Sequence, residues 1–319
     1  MARGSVVVDE TAAEAALARP KPRRSVINPR WQRRLFLLPA VIIVLAVVIF
    51  PTVFGIYVSF TQWILSGSQN ARKFIGVQNF SNILFHDSQF WHALEVNFIF
   101  VVIGVPLQYV IALILAVLVN QDIRGRKFFR VVFLLPFMMS PVAVGWMIGR
   151  SIFDSRWGPL PHFLTDIGIK NFYFFDTGPH SLFALILIDA WYSIPFIFVL
   201  LLAGLQAMPH EVFEAARIDG ASAWQSFRDM TFPLLLPVSL TAIILRTIFE
   251  FKLIDIIIVV TGGGPGNYTE TLTAYIYRRG VQGLDVGYST AMAELFLVII
   301  IAFVFLILIG AGRWVRDVT

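Results

Sequence analysis

The 319-residue chain contains no cysteine, which excludes disulfide staples, thiolate metal sites and cysteine nucleophiles, and removes the usual means of inferring a redox compartment. Charge is the next scarcity. Asp, Glu, Lys and Arg make up 14% of the residues against 57% apolar, where a soluble domain carries about a quarter charged residues. The formal charge of +5 is spread along the chain rather than gathered in one patch, so nucleic acid is not an expected partner. Catalytic chemistry is also scarce. The five histidines, His86, His92, His162, His180 and His210, are scattered without a His-Glu-x-x-His spacing, and no serine sits in a recognisable nucleophile context. Each histidine reads as an ordinary loop residue, and neither a catalytic site nor a metal site is expected.

What is abundant is hydrophobic length. Crossing about 30 Å of hydrocarbon takes roughly 20 apolar residues as helix, and six such runs lie near 35–60, 96–119, 130–153, 181–205, 234–260 and 290–310. The chain is therefore read as an all-α polytopic membrane protein. Pro51, Pro106, Pro136, Pro141, Pro195 and Pro237 fall inside these runs and predict kinked or broken helices. The first run follows a long basic tail and has no small-x-small cleavage site after it, so it is read as a retained span rather than a signal peptide. Residues 1–34, rich in Ala, Arg and Pro, are expected to be a disordered cytoplasmic tail near an anionic membrane surface.

Orientation follows from Lys and Arg, which short cytoplasmic loops retain. Of 25 basic residues, sixteen lie in the tail, the 120–130 loop, the 206–233 loop and the C-terminus, and seven in the alternate loops. Both termini are thus expected in the cytoplasm, together with the segment Glu214–Pro233. In the alternate loops, Gly262-Gly263-Gly264-Pro265-Gly266 has the look of a phosphate loop but lacks the Gly-Lys-Ser/Thr ending and follows a membrane run, which favours a tight turn. Asn79-Phe80-Ser81 and Asn267-Tyr268-Thr269 match the glycosylation triplet, which matters only in a eukaryotic cell.

The fifth run departs from a passive anchor. It holds Arg246, Glu250, Lys252 and Asp255, where a central charge costs about 2.5–3.5 kcal/mol on insertion scales. Arg246 and Glu250 are spaced to pair on one helix face, and Lys252 and Asp255 on another. Arg246, Phe249, Glu250 and Leu253 follow i, i+3, i+4, i+7 and form one stripe. Two readings stay open: buried structural ion pairs, or a wall of a path for a polyhydroxylated solute, with charges bonding hydroxyls and Phe249 covering C–H faces. The Lys252–Asp255 pair reads as structural.

The loop between the fourth and fifth runs carries helix formers, a Gly, and then Ala221-Ser222-Ala223-Trp224-Gln225-Ser226-Phe227, stopping at Pro233. This predicts a short helix, a turn and a second short helix. Within it, Glu214-Ala215-Ala216, three residues, Gly220, nine residues and Met230-Thr231-Phe232-Pro233 resemble the cytoplasmic signature of permease subunits in binding-protein-dependent ABC importers. Met and Phe replace the usual Ile and Leu; Glu14-Ala15-Ala16 in the tail is a chance match without the Gly and Pro. From about Arg34 onward the chain resembles the first permease of carbohydrate importers of the maltose, trehalose and glycerol-phosphate kind. The likeness lies in Phe74-Ile75-Gly76-Val77-Gln78-Asn79-Phe80 with Phe90-Trp91 and Asn97, in Phe129-Arg130 with Pro136, and in Thr261–Gly266 with Thr269 and Tyr275-Ile276-Tyr277-Arg278. Pro161 and Ile254-Asp255 depart from the family pattern.

The resemblance implies the type I permease fold of ABC importers, with six transmembrane helices over 35–319 and a coupling helix at about 210–230, in a bacterial cytoplasmic (inner) membrane and in contact with its lipid. It implies a non-catalytic subunit without a cofactor of its own, ATP and Mg binding in two partner ATPase subunits, a second homologous permease, and an extracytoplasmic substrate-binding protein. Glu214, Ala215, Ala216, Asp219 and Gly220 would then belong to the ATPase-coupling helix. Glu214 would accept a charge-assisted bond, the alanines would permit close packing and Gly220 a bend. The family's sugar contacts align with Arg246, Phe249, Glu250 and Leu253, which would line the substrate path. A self-sufficient secondary transporter or channel subunit is the competing class; its uptake would follow an ion gradient rather than ATP.

Overall fold

The computed structural model describes residues 29–65, 72–121, 124–169 and 172–318. The expected tail lies outside these as far as residue 28. From Pro29 the chain is already helical, so the helix Pro29–Val44 starts ahead of the expected boundary near 35. Two compact units are present, one ending at Phe54 and one running from Gly55.

Among the described residues, five helices are long and apolar enough to cross a membrane: Phe36–Ser59, Ser88–Asn120, Gly178–Gln206, Ala223–Phe251 and Val286–Gly310. A sixth crossing is available if Arg126–Met138 and Pro141–Ile152, bent by 97° at their junction, form one span. In chain order these are spans one to six. The third, expected over 130–153 with a kink or break at its prolines, is broken. A proline disfavours helical geometry at the residue before it, and before Pro141 Ser140 is extended (φ −67°, ψ 138°).

Proline is otherwise absorbed without a break. Three π-helical segments, Leu45–Ile49, Phe100–Gly104 and Phe227–Thr231, each end just before a proline, respectively Pro51, Pro106 and Pro233. In each case the residue four before the proline lies inside the π segment. That residue's carbonyl is the one the ring would strike and whose partner N–H is missing; the wider turn relieves both. Pro233 therefore does not stop the cytoplasmic segment. The helix continues through it from Ala223 into the fifth span, which corrects the expected short second helix.

Within the second unit, small residues of span two, Ala112 and Ala116, share a buried cluster with Ile197, Phe198 and Leu201 of span four and Leu235 and Ala242 of span five. Small side chains let helix backbones approach where lipid supplies no hydrophobic drive. A second cluster joins Val96 and Phe100 of span two, Val144 and Ile148 of span three, Leu185 and Ile188 of span four, and Ile256, Ile257 and Val260. The third joins Phe90, Ala93 and Val101 to Phe251, Leu272 and the sixth-span residues Ala291, Met292 and Phe296.

The loop ends beside span two's N-terminus are knitted by polar contacts. Strands Thr61–Gln62 and Lys73–Phe74 pair antiparallel, and Asn79 Nδ2 donates to the carbonyls of Ser59 (2.9 Å) and Thr61 (3.0 Å). Asp87 caps the helix Ser88–Ile99 by accepting the Phe90 N–H, and also accepts from the Tyr275 hydroxyl at 2.9 Å and the Tyr288 hydroxyl at 2.7 Å. Burial and the bond to Asp87 push the Tyr275 hydroxyl up to about 12. The glycine-rich loop is a self-bonded turn: Thr269 Oγ1 donates to the Gly264 carbonyl at 2.8 Å, the Thr269 N–H donates to the Gly263 carbonyl, and Gly262, Gly263 and Gly266 have positive φ. Its polar groups are directed inward, as a tight turn requires.

Candidate functional site

The fifth span does not run to 260 as expected. Its helix ends at Phe251, Lys252 leaves helical geometry, and a separate helix Asp255–Val260 follows. Breaking a helix in the bundle frees backbone carbonyls that must be satisfied. Asn97, fully buried on span two, donates to the Phe251 carbonyl at 3.1 Å and accepts the Leu272 N–H at 2.7 Å. Thr273 Oγ1 donates to the same Phe251 carbonyl, and Thr271 Oγ1 to that of Leu253. The break is thus built in, held by three polar side chains from two neighbouring elements.

One turn before the break sits a charged cluster. Arg246 and Glu250 are buried and ion-paired, as their i, i+4 spacing predicts. Arg246 also pairs with Asp189 of span four, and its Nε donates to Gln108 Oε1 of span two. The Gln108 amide completes the set, with Nε2 donating to Asp189 at 2.7 Å and lying 3.5 Å from Glu250. Ser193 adds a bond to Asp189 at 3.3 Å. Three spans therefore meet on one guanidinium. Burying a charge in hydrocarbon is tolerated only with such pairing and bonding. Span two passes closely there: a Cβ at Gly104 would lie 3.3 Å from Glu250 Oε1.

Between this cluster and the break lies a cavity of about 320 Å³, lined by Phe137 and Pro141 of span three, Asp189, Tyr192, Ser193 and Phe196 of span four, and Arg246, Phe249 and Lys252–Ile256. Its wall is aromatic. Phe137 lies 5.9 Å from Tyr192 and 5.8 Å from Phe196, and Phe196 meets Phe249 edge-on at 5.5 Å.

Of the expected stripe, Arg246, Phe249 and Leu253 line the cavity, whereas Glu250 stands behind Arg246 and does not. Leu253 lies past the helix end, so the stripe is not one continuous face. Among the described residues no ion pair joins Lys252 to Asp255; the helical spacing that would pair them is lost at the break, and both line the cavity instead. Asp189 and Gln108 were missed. Asp189 had a signal, being a carboxylate in the middle of an apolar run; Gln108 had none.

The second site is the helix His210–Ile218. Phe213 anchors it to the cluster containing Leu205 and Met208, Ala216 is buried, and Glu214, Ala215, Asp219 and Gly220 are exposed. Its end is a Schellman motif: the Ala221 N–H donates to the Ala216 carbonyl at 2.9 Å and the Gly220 N–H to that of Arg217 at 3.2 Å, with Gly220 at φ +75°. A Cβ at Gly220 would meet nothing within 4 Å, so the glycine serves backbone conformation rather than close approach within the chain. Ser222 and Gln225 then form a capping box that starts the next helix. Ile218 and Trp224 flank the turn with 86% and 66% of their surface exposed, an apolar pair presented outward.

The chain is 33% identical over 298 residues to a probable ABC transporter permease protein of Sinorhizobium fredii, covering 93% of this chain and 94% of that protein. It is 31% identical over 283 residues to the trehalose/maltose transport system permease protein of Thermococcus litoralis, covering 89% and 94%. A chain of the bacterial alginate ABC transporter, crystallised with an alginate pentasaccharide-bound periplasmic protein, shares the fold with a TM-score of 0.75 at 22% identity, over 90% of this chain and 96% of that one. Residues 96–316, which hold the cavity, the charged cluster and the Schellman-capped helix, match the family described as binding-protein-dependent transport system inner membrane component, and the chain belongs to that family.

Proposed function

We propose that this chain is one of two permease subunits of an ATP-driven importer that carries a sugar-like polyhydroxylated solute from an extracytoplasmic binding protein into the cytoplasm. The observation that carries this reading is the cavity at the broken fifth span. Aromatic rings line it beside Asp189, Lys252 and Asp255, a combination that covers C–H faces and bonds hydroxyls. Arg246, Phe249 and Leu253 form the path wall, and Glu250 positions Arg246 from behind. The positive-inside bias supports both termini in the cytoplasm, with the helix His210–Ile218 on that side, seated in a partner ATPase that supplies ATP and Mg chemistry. The second permease completes the path. Closure of two ATPases draws the coupling helices together and opens the cavity outward; hydrolysis reverses it.

The test is purification of the chain from its native membrane in mild detergent, followed by reconstitution and uptake. Recovery of a second permease, an ATPase and a binding protein, with solute uptake that requires ATP, is the expected result. A chain recovered alone, taking up solute in response to an ion gradient, would replace this reading with a secondary transporter.

A further inference from the structure

A second cavity, of about 670 Å³, lies where the ends of spans two and four meet the helix His210–Ile218. Its polar lining is Asn120, Gln121, Arg217, Ser226 and Thr231, and its apolar lining includes Leu205, Met208 and Phe227. Among the described residues Arg217 is the one charged group on it, and no carboxylate lines it. Asp229, on the same helix as Ser226, is held by Arg228. Thr231 donates its hydroxyl proton to the Ser226 carbonyl at 3.3 Å. The side chains of Asn120, Gln121, Arg217 and Ser226 have no hydrogen bond or ion pair among the described residues.

Polar groups that converge unpaired on a concave, partly apolar space have the make-up of a ligand site. The sign of the ligand follows from the lining: one cation, no carboxylate, and amide and hydroxyl donors. A guanidinium offers a planar fork to two oxygens of a tetrahedral anion, and the Asn120 and Gln121 amides and the Ser226 hydroxyl have protons to give to the remaining oxygens. Leu205, Met208 and Phe227 provide room for an apolar arm. Spans two and four end here, at the depth where headgroups meet a membrane protein and basic side chains attract anionic ones. We propose that this cavity binds a phosphate-bearing anion, which bridges Asn120 of span two and Arg217 of the helix His210–Ile218. Bound there, the anion ties that helix to the bundle.

The experiment uses the full chain, purified with whatever chains accompany it and placed in nanodiscs of phosphatidylcholine, with or without an equal part of phosphatidylglycerol. Amide hydrogen exchange is followed over residues 213–231, and phosphatidylglycerol is expected to slow it severalfold. Glycerol 3-phosphate and inorganic phosphate, added in millimolar amounts to discs of phosphatidylcholine alone, separate two sources of the same chemistry. Slowing by the lipid only assigns the site to a headgroup, and slowing by either soluble anion assigns it to a free phosphate; both support the proposal. Slowing by none of the three would overturn it. Arg217→Gln and Asn120→Leu each remove one side of the bridge. As neither side chain is bonded to another described residue, both variants are expected to fold and to lose most of the slowing. Slowing retained in full by either variant would take that residue out of the site and overturn the bridge. None of these readouts involves uptake or ATP hydrolysis, so they succeed or fail separately from the importer reading.

Discussion

Arg246 ties three membrane spans together through one guanidinium, bonded to Gln108, Asp189 and Glu250. Its partnership with Glu250 was legible, because four residues on a helix make one turn and a membrane span does not tolerate a lone charge. Its partnership with Asp189 and Gln108 was not, since those residues lie on spans two and four and nothing in the local pattern states which faces will meet. The sign of its contribution follows from burial. Removing Arg246 strands two carboxylates among buried apolar groups, a loss of about 3–5 kcal/mol for a buried pair broken on one side. Arg246→Leu should therefore lower the temperature at which the detergent-solubilised protein loses its monodisperse peak. Replacing Glu250 by Gln and Asp189 by Asn in the same chain should recover most of the loss. An Arg246→Leu protein as heat-resistant as the parent would show that the cluster is not a structural pin.

At the level of the element, prolines mark where the helices deviate, but not how. Three prolines are met by π turns, one by a 97° bend, and Pro195 and Pro237 remain inside helices. The bend at Pro141 falls where Ser140 leaves the helical region, as a residue before proline prefers, whereas Phe50, Val105 and Phe232 stay helical before their prolines. The break after Phe251 has no proline at all. It exists because Asn97, Thr271 and Thr273 take over the polar groups that the helix abandons, and Asn97 is buried for that task rather than for contact with a solute. In Asn97→Leu the Phe251 carbonyl keeps its bond from Thr273, but the Leu272 N–H loses its acceptor. An orphaned buried donor costs about 1–3 kcal/mol. The variant should unfold at lower temperature and show faster amide exchange at Leu272; unaltered exchange there would mean another acceptor replaces Asn97.

On the scale of the whole molecule, the helix His210–Ile218 is the element that the proposed function assigns to docking on a partner ATPase. It is held from within by Phe213 and Ala216 and terminated by its own backbone bonds, leaving Glu214 and Ala215 exposed beside Ile218 and Trp224. A rigid, exposed, amphipathic element suits lever-like transmission. Glu214→Lys changes no buried contact, so the chain should fold and assemble in the membrane, while charge reversal at the docking contact should reduce solute-stimulated ATP hydrolysis by tenfold or more. Hydrolysis at the parental rate in the purified Glu214→Lys complex would remove Glu214 from the coupling surface.

Composition and run length by themselves determined that this is a polytopic helical membrane protein, because the cost of unpaired backbone and charge in hydrocarbon leaves few alternatives. The spacing around Glu214 and Gly220 likewise carried the capped helix, a local structure whose bonds close within six residues. What only the tertiary structure decided is the cavity. It depends on the fifth span breaking at Lys252, on span three folding back at Ser140, and on Asp189 and Gln108 arriving from other spans to neutralise and orient Arg246. Those are contacts between residues 57 to 142 positions apart, and local sequence preference does not encode which of many apolar faces will be brought together.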